Sequence, residues 1–351
     1  MFRPPRCPYS RCPQHRRPEG RFYYRYGYYH PESRAHEVQR YLCRTCRRTF
    51  SRQTFRLDFR DRRPDLNAPL YRLLNSGVGL RQSARLIGLS RCCTELKFRK
   101  LAAHCRDLNL NLRGKLRKGH SFQFDEFETY EGRRNTRPLT VPVLIERDSR
   151  FVLWAESASI RPRGSMTEAR QRAIAQEEKR LGRRIDQSRA AIRRTLKKGA
   201  DCAGALPFIL LETDEKKSYP SHARWAFPDQ RIEHRTTNSK APRTPWNPLF
   251  PINHTEARLR DLMGRLRRES WLVSKKRERL DLHLQLHMTW LNYHRPRFNR
   301  DQKSPAELLG WTPRRLTEGE VMGWRQDWGE RSIHPLSRSG RDVVGALELA
   351  A

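Results

Sequence analysis

The sequence predicts a mixed α/β domain preceded by two small modules, a cysteine-held ribbon and a helical helix-turn-helix unit. Three observations carry this prediction. Two close cysteine pairs lie near the start, leucines at helical spacing follow, and from about residue 120 apolar residues alternate at a period of two before helix-length segments resume. Composition places the ribbon at 1–60, the helical module at 64–113, the α/β domain at 120–312 and a loose C-terminal tail at 313–351.

Charge narrows the partners. The 351 residues hold 73 Lys plus Arg against 38 Asp plus Glu, a net of +35. Such an excess opposes compaction unless a polyanion offsets it, and DNA and RNA release counterions when cations approach their phosphates. Nucleic acid is the expected partner. The longest apolar run, Ala205 to Leu211, spans seven residues, far short of the ~18 that a membrane helix needs. With no apolar leader after Met1, a cytoplasmic protein with no membrane partner is expected.

The ribbon carries fifteen arginines against four acids, a net of +11 over residues 1–60. Cys7 and Cys12 form a C-x4-C pair, and Cys43 and Cys46 a C-x2-C pair. Four thiolates in two close pairs suit a tetrahedral structural zinc. His15 is a rival ligand by its spacing from Cys12. Between the pairs runs Phe22-Tyr23-Tyr24-Arg25-Tyr26-Gly27-Tyr28-Tyr29, whose aromatics suit either base stacking or the core of a very small sheet. Cys92, Cys93, Cys105 and Cys202 have no paired spacing, so ordinary burial is expected of them.

In the helical module, Leu80 to Leu86 reads as a helix ending at Gly88, with Leu89 as a plug and Ser90 as the cap of a second helix from about Arg91 to Ala103. That second helix would present Arg91, Thr94 and Lys97 to a major groove.

The α/β domain opens with strands at Phe122 to Phe127, Val141 to Ile145 and Phe151 to Ala155. Residues 167–198 read as one long charged helix, because Ile174, Leu181, Ile185, Ile192 and Leu196 repeat at spacings of 7, 4, 7 and 4. A buried strand from Leu206 to Leu211 follows. Acids at strand ends stand out in so basic a chain. Alternation turns Asp125 away from Phe122 and Phe124, and Asp214 lies where the second strand emerges. Glu256 falls on the buried face of a helix whose stripe is Leu259, Leu262, Met263 and Leu266. An unpaired acid there is costly, so a cation is expected beside it. Three carboxylates could chelate two Mg²⁺ ions for phosphodiester chemistry. Asn253 and Glu256 also fit a capping box that would carry no chemistry. Glu126, Glu128, Glu212 and Glu215 are the neighbouring acids, and Glu212 is the first substitute.

Arg258, Arg260, Arg265, Arg267 and Arg268 are expected on the exposed side of the Glu256 helix, facing DNA. Leu280 to Leu286 alternate like a strand, yet without β-branched residues a helix is preferred. Ser304-Pro305 reads as an N-cap and first turn ending at Gly310.

Taken in order, Cys7, Cys12 and Tyr41-Leu42-Cys43-Arg44-Thr45-Cys46-Arg47-Arg48-Thr49-Phe50-Ser51, the helix-turn-helix, Phe124-Asp125-Glu126, Thr213-Asp214 and Asn253-His254-Thr255-Glu256 resemble the DDE transposases of bacterial insertion sequences, of the InsA/InsB-like kind. The likeness spans about residues 7–312 and continues through Asn292-Tyr293-His294-Arg295-Pro296-Arg297 and Ser304-Pro305-Ala306-Glu307. It implies a ribonuclease H-like catalytic domain, with Asp125, Asp214 and Glu256 holding two Mg²⁺ ions (Mn²⁺ as a substitute) and Asp125 bridging them. It further implies double-stranded DNA as partner, a homodimer or higher assembly on DNA, and a place in the bacterial nucleoid. Tyr219 resembles the family's aromatic after the second acid. The C-x4-C spacing and the long segment between Asp125 and Asp214 depart from the pattern. An inactive DNA-binding repressor on the same fold and an RNA-binding scaffold are the rival expectations.

Overall fold

The computed structural model describes residues 2–30, 36–117, 119–267 and 270–325. In the ribbon, a short helix α1 (Pro13–Arg16) follows the first cysteine pair, and β1 (Tyr23–Tyr29), β2 (Val38–Cys43) and β3 (Thr49–Ser51) form an antiparallel sheet in that order. Phe22, Tyr41, Phe50 and Phe55 gather with the cysteines into a core separate from the main one. A core this small needs a further staple, which places weight on the thiols.

Helices α2 (Asn67–Asn75), α3 (Leu80–Leu86) and α4 (Arg91–Leu112) come next. Gly88 takes φ +66°, which only glycine adopts freely, and the Ser90 hydroxyl accepts the Cys93 amide, so both expected turn signals operate. The second helix runs nine residues beyond its expected end at Ala103. Its stripe of Phe98, Leu101, Ala102, Cys105 and Leu108 stays buried throughout, and neither glycine nor proline interrupts it.

Strands β4 (Ser121–Tyr130), β5 (Pro138–Glu146), β6 (Val152–Ala155) and β7 (Ala158–Ser159) precede helices α5 (Glu168–Leu181) and α6 (Ser188–Ala203); β8 (Phe208–Asp214), α7 (Tyr219–Ala226) and β9 (Arg231–Thr237) complete the unit. The mixed sheet has the order β6-β5-β4-β8-β9, with β7 on β5. β4, β5 and β6 pair antiparallel, whereas β8 and β9 run parallel to β4. The single helix expected over 167–198 is two. Gly182 takes φ +81° after Leu181, leaving Leu181 and Ile185 exposed and α5 without a buried residue. Of these two helices, α6 is the one that packs closely on the sheet, through Ala191, Ile192, Thr195 and Leu196. A Cβ on Gly199 would come within 2.6 Å of Leu144 Cδ2, so glycine sets that close approach.

Beyond the sheet lie α8 (Phe250–Leu262), α9 (Arg277–Thr289) with a π turn at Trp290–His294, α10 (Pro305–Leu308) and α11 (Glu318–Gly323). The leucines at 280–286 are helical as expected, and Ser304 with Glu307 forms a capping box. α9 is buried nearly all round. His283 Nε2 lies 3.0 Å from the Leu74 carbonyl, His287 Nδ1 is 2.7 Å from Asn75 Oδ1, and Asn109 donates to the Gln285 carbonyl. One continuous core therefore runs from Leu57 and Leu70 through the sheet to Trp324. The start of the expected tail belongs to it, since Leu316, Val321 and Trp324 are buried. Residues 326–351, with the rest of that tail, lie outside the described residues. Among the described residues no helix is long and apolar enough to cross a membrane.

Candidate functional site

The three expected acids open onto one cleft. Gln123 of β4 stands beside Glu212 of β8, so Asp125 and Asp214, two residues further along each strand, occupy adjacent positions. α8 brings Glu256 to the same place, and Asn238, Arg243, Asn247, Asn253 and Arg260 complete a cavity of about 220 Å³. α8 begins at Phe250, so Asn253 lies inside the helix and the capping-box reading does not hold.

Electrostatics in the cleft are unfavourable without a cation. Glu256 is 4% exposed and its Oε1 has no hydrogen-bond partner. Burial, aided by Asp125 and Asp214 and opposed by Arg260 and Arg243, pushes its carboxyl up to about 8. Burial and the neighbouring Asp214 likewise push Asp125 up to about 6, although its Oδ1 accepts the Glu126 amide at 2.7 Å. Hard carboxylate oxygens, one of them buried and unsatisfied, fit a divalent cation such as Mg²⁺.

The neighbouring acids are accounted for differently. Glu212 is held by Gln123 at 2.8 Å and Arg147 at 3.3 Å, so it is committed to bracing β8 against β4. Glu126 points to the other side of β4, where it accepts from Tyr219 at 2.9 Å and Thr140 at 2.9 Å and pairs with Lys216. The Tyr219 ring meets Phe124 edge-on at 5.0 Å. Tyr219 thus locks the strand that carries Asp125. The loop cations and amides, Arg243 above all, were missed in the sequence because their segment has no periodicity.

In the ribbon the four expected thiols converge. Cys7 Sγ lies 3.7 Å from Cys46 Sγ and Cys12 Sγ 3.8 Å from Cys43 Sγ, and all four sulfurs fall within 4.8 Å of one another. A tetrahedron with Zn–S near 2.3 Å has edges of about 3.8 Å. The set could therefore bind a structural zinc. Among the described residues it is the one group of three or more metal-ligating side chains drawn so close, and the three cleft carboxylates do not converge to that degree. His15 is not part of this converging group, and its Nδ1 lies 2.7 Å from the Cys7 carbonyl. The aromatic run is divided between the small core and the surface. Tyr23 packs on Tyr41, whereas Tyr24, Tyr26 and Tyr28 are exposed along β1, with the Arg44 guanidinium 4.4 Å over the Tyr24 ring.

Two of the expected groove-reading side chains turn inward. Thr94 is fully buried and its hydroxyl donates to the Ser90 carbonyl at 2.9 Å. Lys97 donates to both Asp61 oxygens at 2.7 Å, to the Arg63 carbonyl and to Asn67. Burial works against the Asp61 carboxylate, yet these partners hold it below its ordinary value. Thr94 and Lys97 therefore pin α4 to its support. The outward stripe of α4 is Arg91, Cys92, Leu96 and Arg99, which keeps Arg91 available and adds Arg99. Cys92 and Cys93 are exposed, contrary to the expected burial, whereas Cys105 and Cys202 are buried.

The arginines after Glu256 do not share one exposed face. Arg260 lies over Phe127 at the cleft, Arg265 sits over Phe98, and Arg267 donates to the Asp261 carbonyl. Arg258 faces away from the cleft. Arg268 lies outside the described residues. Compared along its whole length with protein-family models and with curated proteins, the chain finds no match.

Proposed function

We propose that the protein is a DNA transposase, which binds the ends of an insertion sequence, cuts a phosphodiester and joins the freed 3′-hydroxyl to target DNA. The observation that carries this reading is the meeting of Asp125, Asp214 and Glu256 from β4, β8 and α8 in one cleft, with a buried Glu256 oxygen lacking any partner. The sheet order, three antiparallel strands followed by two parallel ones, supports a ribonuclease H-like fold for this domain.

Asp125, Asp214 and Glu256 would hold Mg²⁺ or Mn²⁺. Such ions, when bound, activate the attacking oxygen and stabilise the leaving one. Arg243 and Arg260 at the cleft draw the anionic strand in and offset the charge that three acids place there. Tyr219, Lys216 and Thr140 hold Glu126, and with it the middle of β4, so that Asp125 keeps its place. The zinc-held ribbon and the α4 stripe of Arg91 and Arg99 would contact the duplex ends, and two copies would bring two ends together.

The test incubates the full-length protein with a fragment spanning both flanks of its own gene, with and without Mg²⁺, and maps strand breaks to the nucleotide. Breaks at two inverted boundaries, absent in Asp125→Asn, are expected. Protection of those boundaries with no break under any metal condition would favour the repressor and reject the enzyme.

A further inference from the structure

Helix α8 has a second functional face. His254 and Arg258 are four residues apart and share a side of the helix, while Glu256 and Arg260 share another roughly 200° around the axis. Arg150, from the β5–β6 turn, reaches this second face: its Nη1 lies 2.9 Å from His254 Nδ1, and its guanidinium rests 5.4 Å over Phe250 and 5.0 Å over Phe298. Arg258 donates through Nη1 to the Arg297 carbonyl at 2.7 Å, which brings the exposed Arg295 two residues away on the same strand of chain.

The neighbouring acids are paired with other arginines, although the Asp301 charge also acts on Arg150. Asp301 is held by Arg297 at 2.8 Å and Asp148 lies beside Arg147 at 4.0 Å. Among the described residues Arg150, Arg258 and Arg295 have no carboxylate in ion-pair reach. His254 Nδ1 accepts from Arg150, so the imidazole is neutral and adds no charge of its own. The Arg295 and Arg150 charges both act on Arg258, so the three guanidiniums are close neighbours. Gathering these guanidiniums on a half-buried floor beside a single acid, Asp301, that Arg297 already holds is unfavourable unless a further anion joins them. Arg150 also sits at φ +60°, a conformation that costs a non-glycine residue roughly 1 kcal/mol, and hairpin geometry alone would be met better by glycine.

We propose that Arg150, Arg258 and Arg295 form a binding site for a phosphate group on the side of α8 opposite the acid cleft. Planar guanidiniums fixed by ring stacking and by a carbonyl present forks that match phosphate oxygens. The source of the phosphate is either a nucleic-acid backbone or a free phosphate-bearing ligand. The site stands without the cleavage chemistry, because none of its groups faces the acids.

Inorganic phosphate titrated calorimetrically into the full-length protein, at constant ionic strength in chloride, tests the site. Arg150→Gln and Arg295→Gln should each weaken phosphate binding tenfold or more, and Arg258→Gln likewise if it folds, whereas Arg72→Gln, which removes a charge paired with Glu318, should not. Equal phosphate binding by wild type and all these variants overturns the proposal. A second arm measures duplex DNA affinity against salt. A log–log slope smaller by about one in Arg150→Gln and Arg295→Gln assigns the site to a backbone phosphate; an unchanged slope with phosphate binding lost assigns it to a free ligand. Magnesium-dependent strand breakage is read separately, so its failure leaves this result intact.

Discussion

Glu256 shows how a single side chain ties stability to function. Its carboxyl is pushed from an ordinary 4.5 up to about 8, so the folded state binds more protons than the unfolded one between those values. Stability is therefore fully present below about pH 4.5 and is lost as pH rises through 8, by up to ~1.4 kcal/mol per pH unit. Glu256→Gln removes that loss. Chemical denaturation without metal at pH 8 should show the variant more stable than wild type by about 1 to 3 kcal/mol, with the gap closing toward pH 4.5. Added Mg²⁺ should stabilise wild type and leave the variant unmoved, and strand cleavage should fall by more than ~10²-fold. A variant less stable than wild type at pH 8 would mean that the cleft pays no charge penalty. The acids were legible because strand alternation and helical spacing fix which face each occupies. Thr94 and Lys97 were not, since the partners that draw them inward, the Ser90 carbonyl and Asp61, follow from packing rather than from period.

Elements were read well where one face is buried and poorly where none is. β4, β5, β6 and β8 alternate or run apolar against a core, and each appears close to its expected span. α5 buries nothing, so its repeat of Ile and Leu had no packing to report, and the decisive signal was Gly182, a helix-ending glycine. The ribbon is the opposite case, a sheet whose small core depends on what joins its turns. Its aromatic cluster is separate from the main core, so loss of the metal should melt the ribbon alone. We expect one zinc per chain by elemental analysis, and none in Cys43→Ser. That variant should lose the protease resistance of residues 2–60 while the melting transition of the sheet shifts by less than a few degrees. Retention of stoichiometric zinc by Cys43→Ser would place the metal elsewhere.

At the scale of the whole molecule, the helix-turn-helix unit and the sheet are joined through α9, which composition alone could not foretell because the two lie far apart in sequence. Two histidines of α9 stand at this junction, and a third, His104, lies where α4 meets α11. His104 Nε2 lies 2.7 Å from the Val321 carbonyl, while His283 and His287 meet Leu74 and Asn75. All are buried and neutral: burial pushes His104 down to about 4 and His283 to about 3, and it sets His287 well below 6.5. Here the unfolded state binds more protons, so stability is complete above pH 6.5 and falls as pH drops below it, by up to ~1.4 kcal/mol per pH unit for each histidine. His283→Gln keeps a donor for the Leu74 carbonyl and removes one titrating group. Guanidinium midpoints measured from pH 7.5 to 5 should fall for both proteins, less steeply for the variant, which should be roughly 1 kcal/mol the weaker at pH 7.5 and close to wild type near pH 5. Parallel curves would show that His283 is not neutral in the fold. Because α9 is common to both regions, signals from α2 to α4 and from the sheet should be lost in the same transition at every pH. Earlier loss of the helical signal would mean that the junction is weaker than its buried contacts imply.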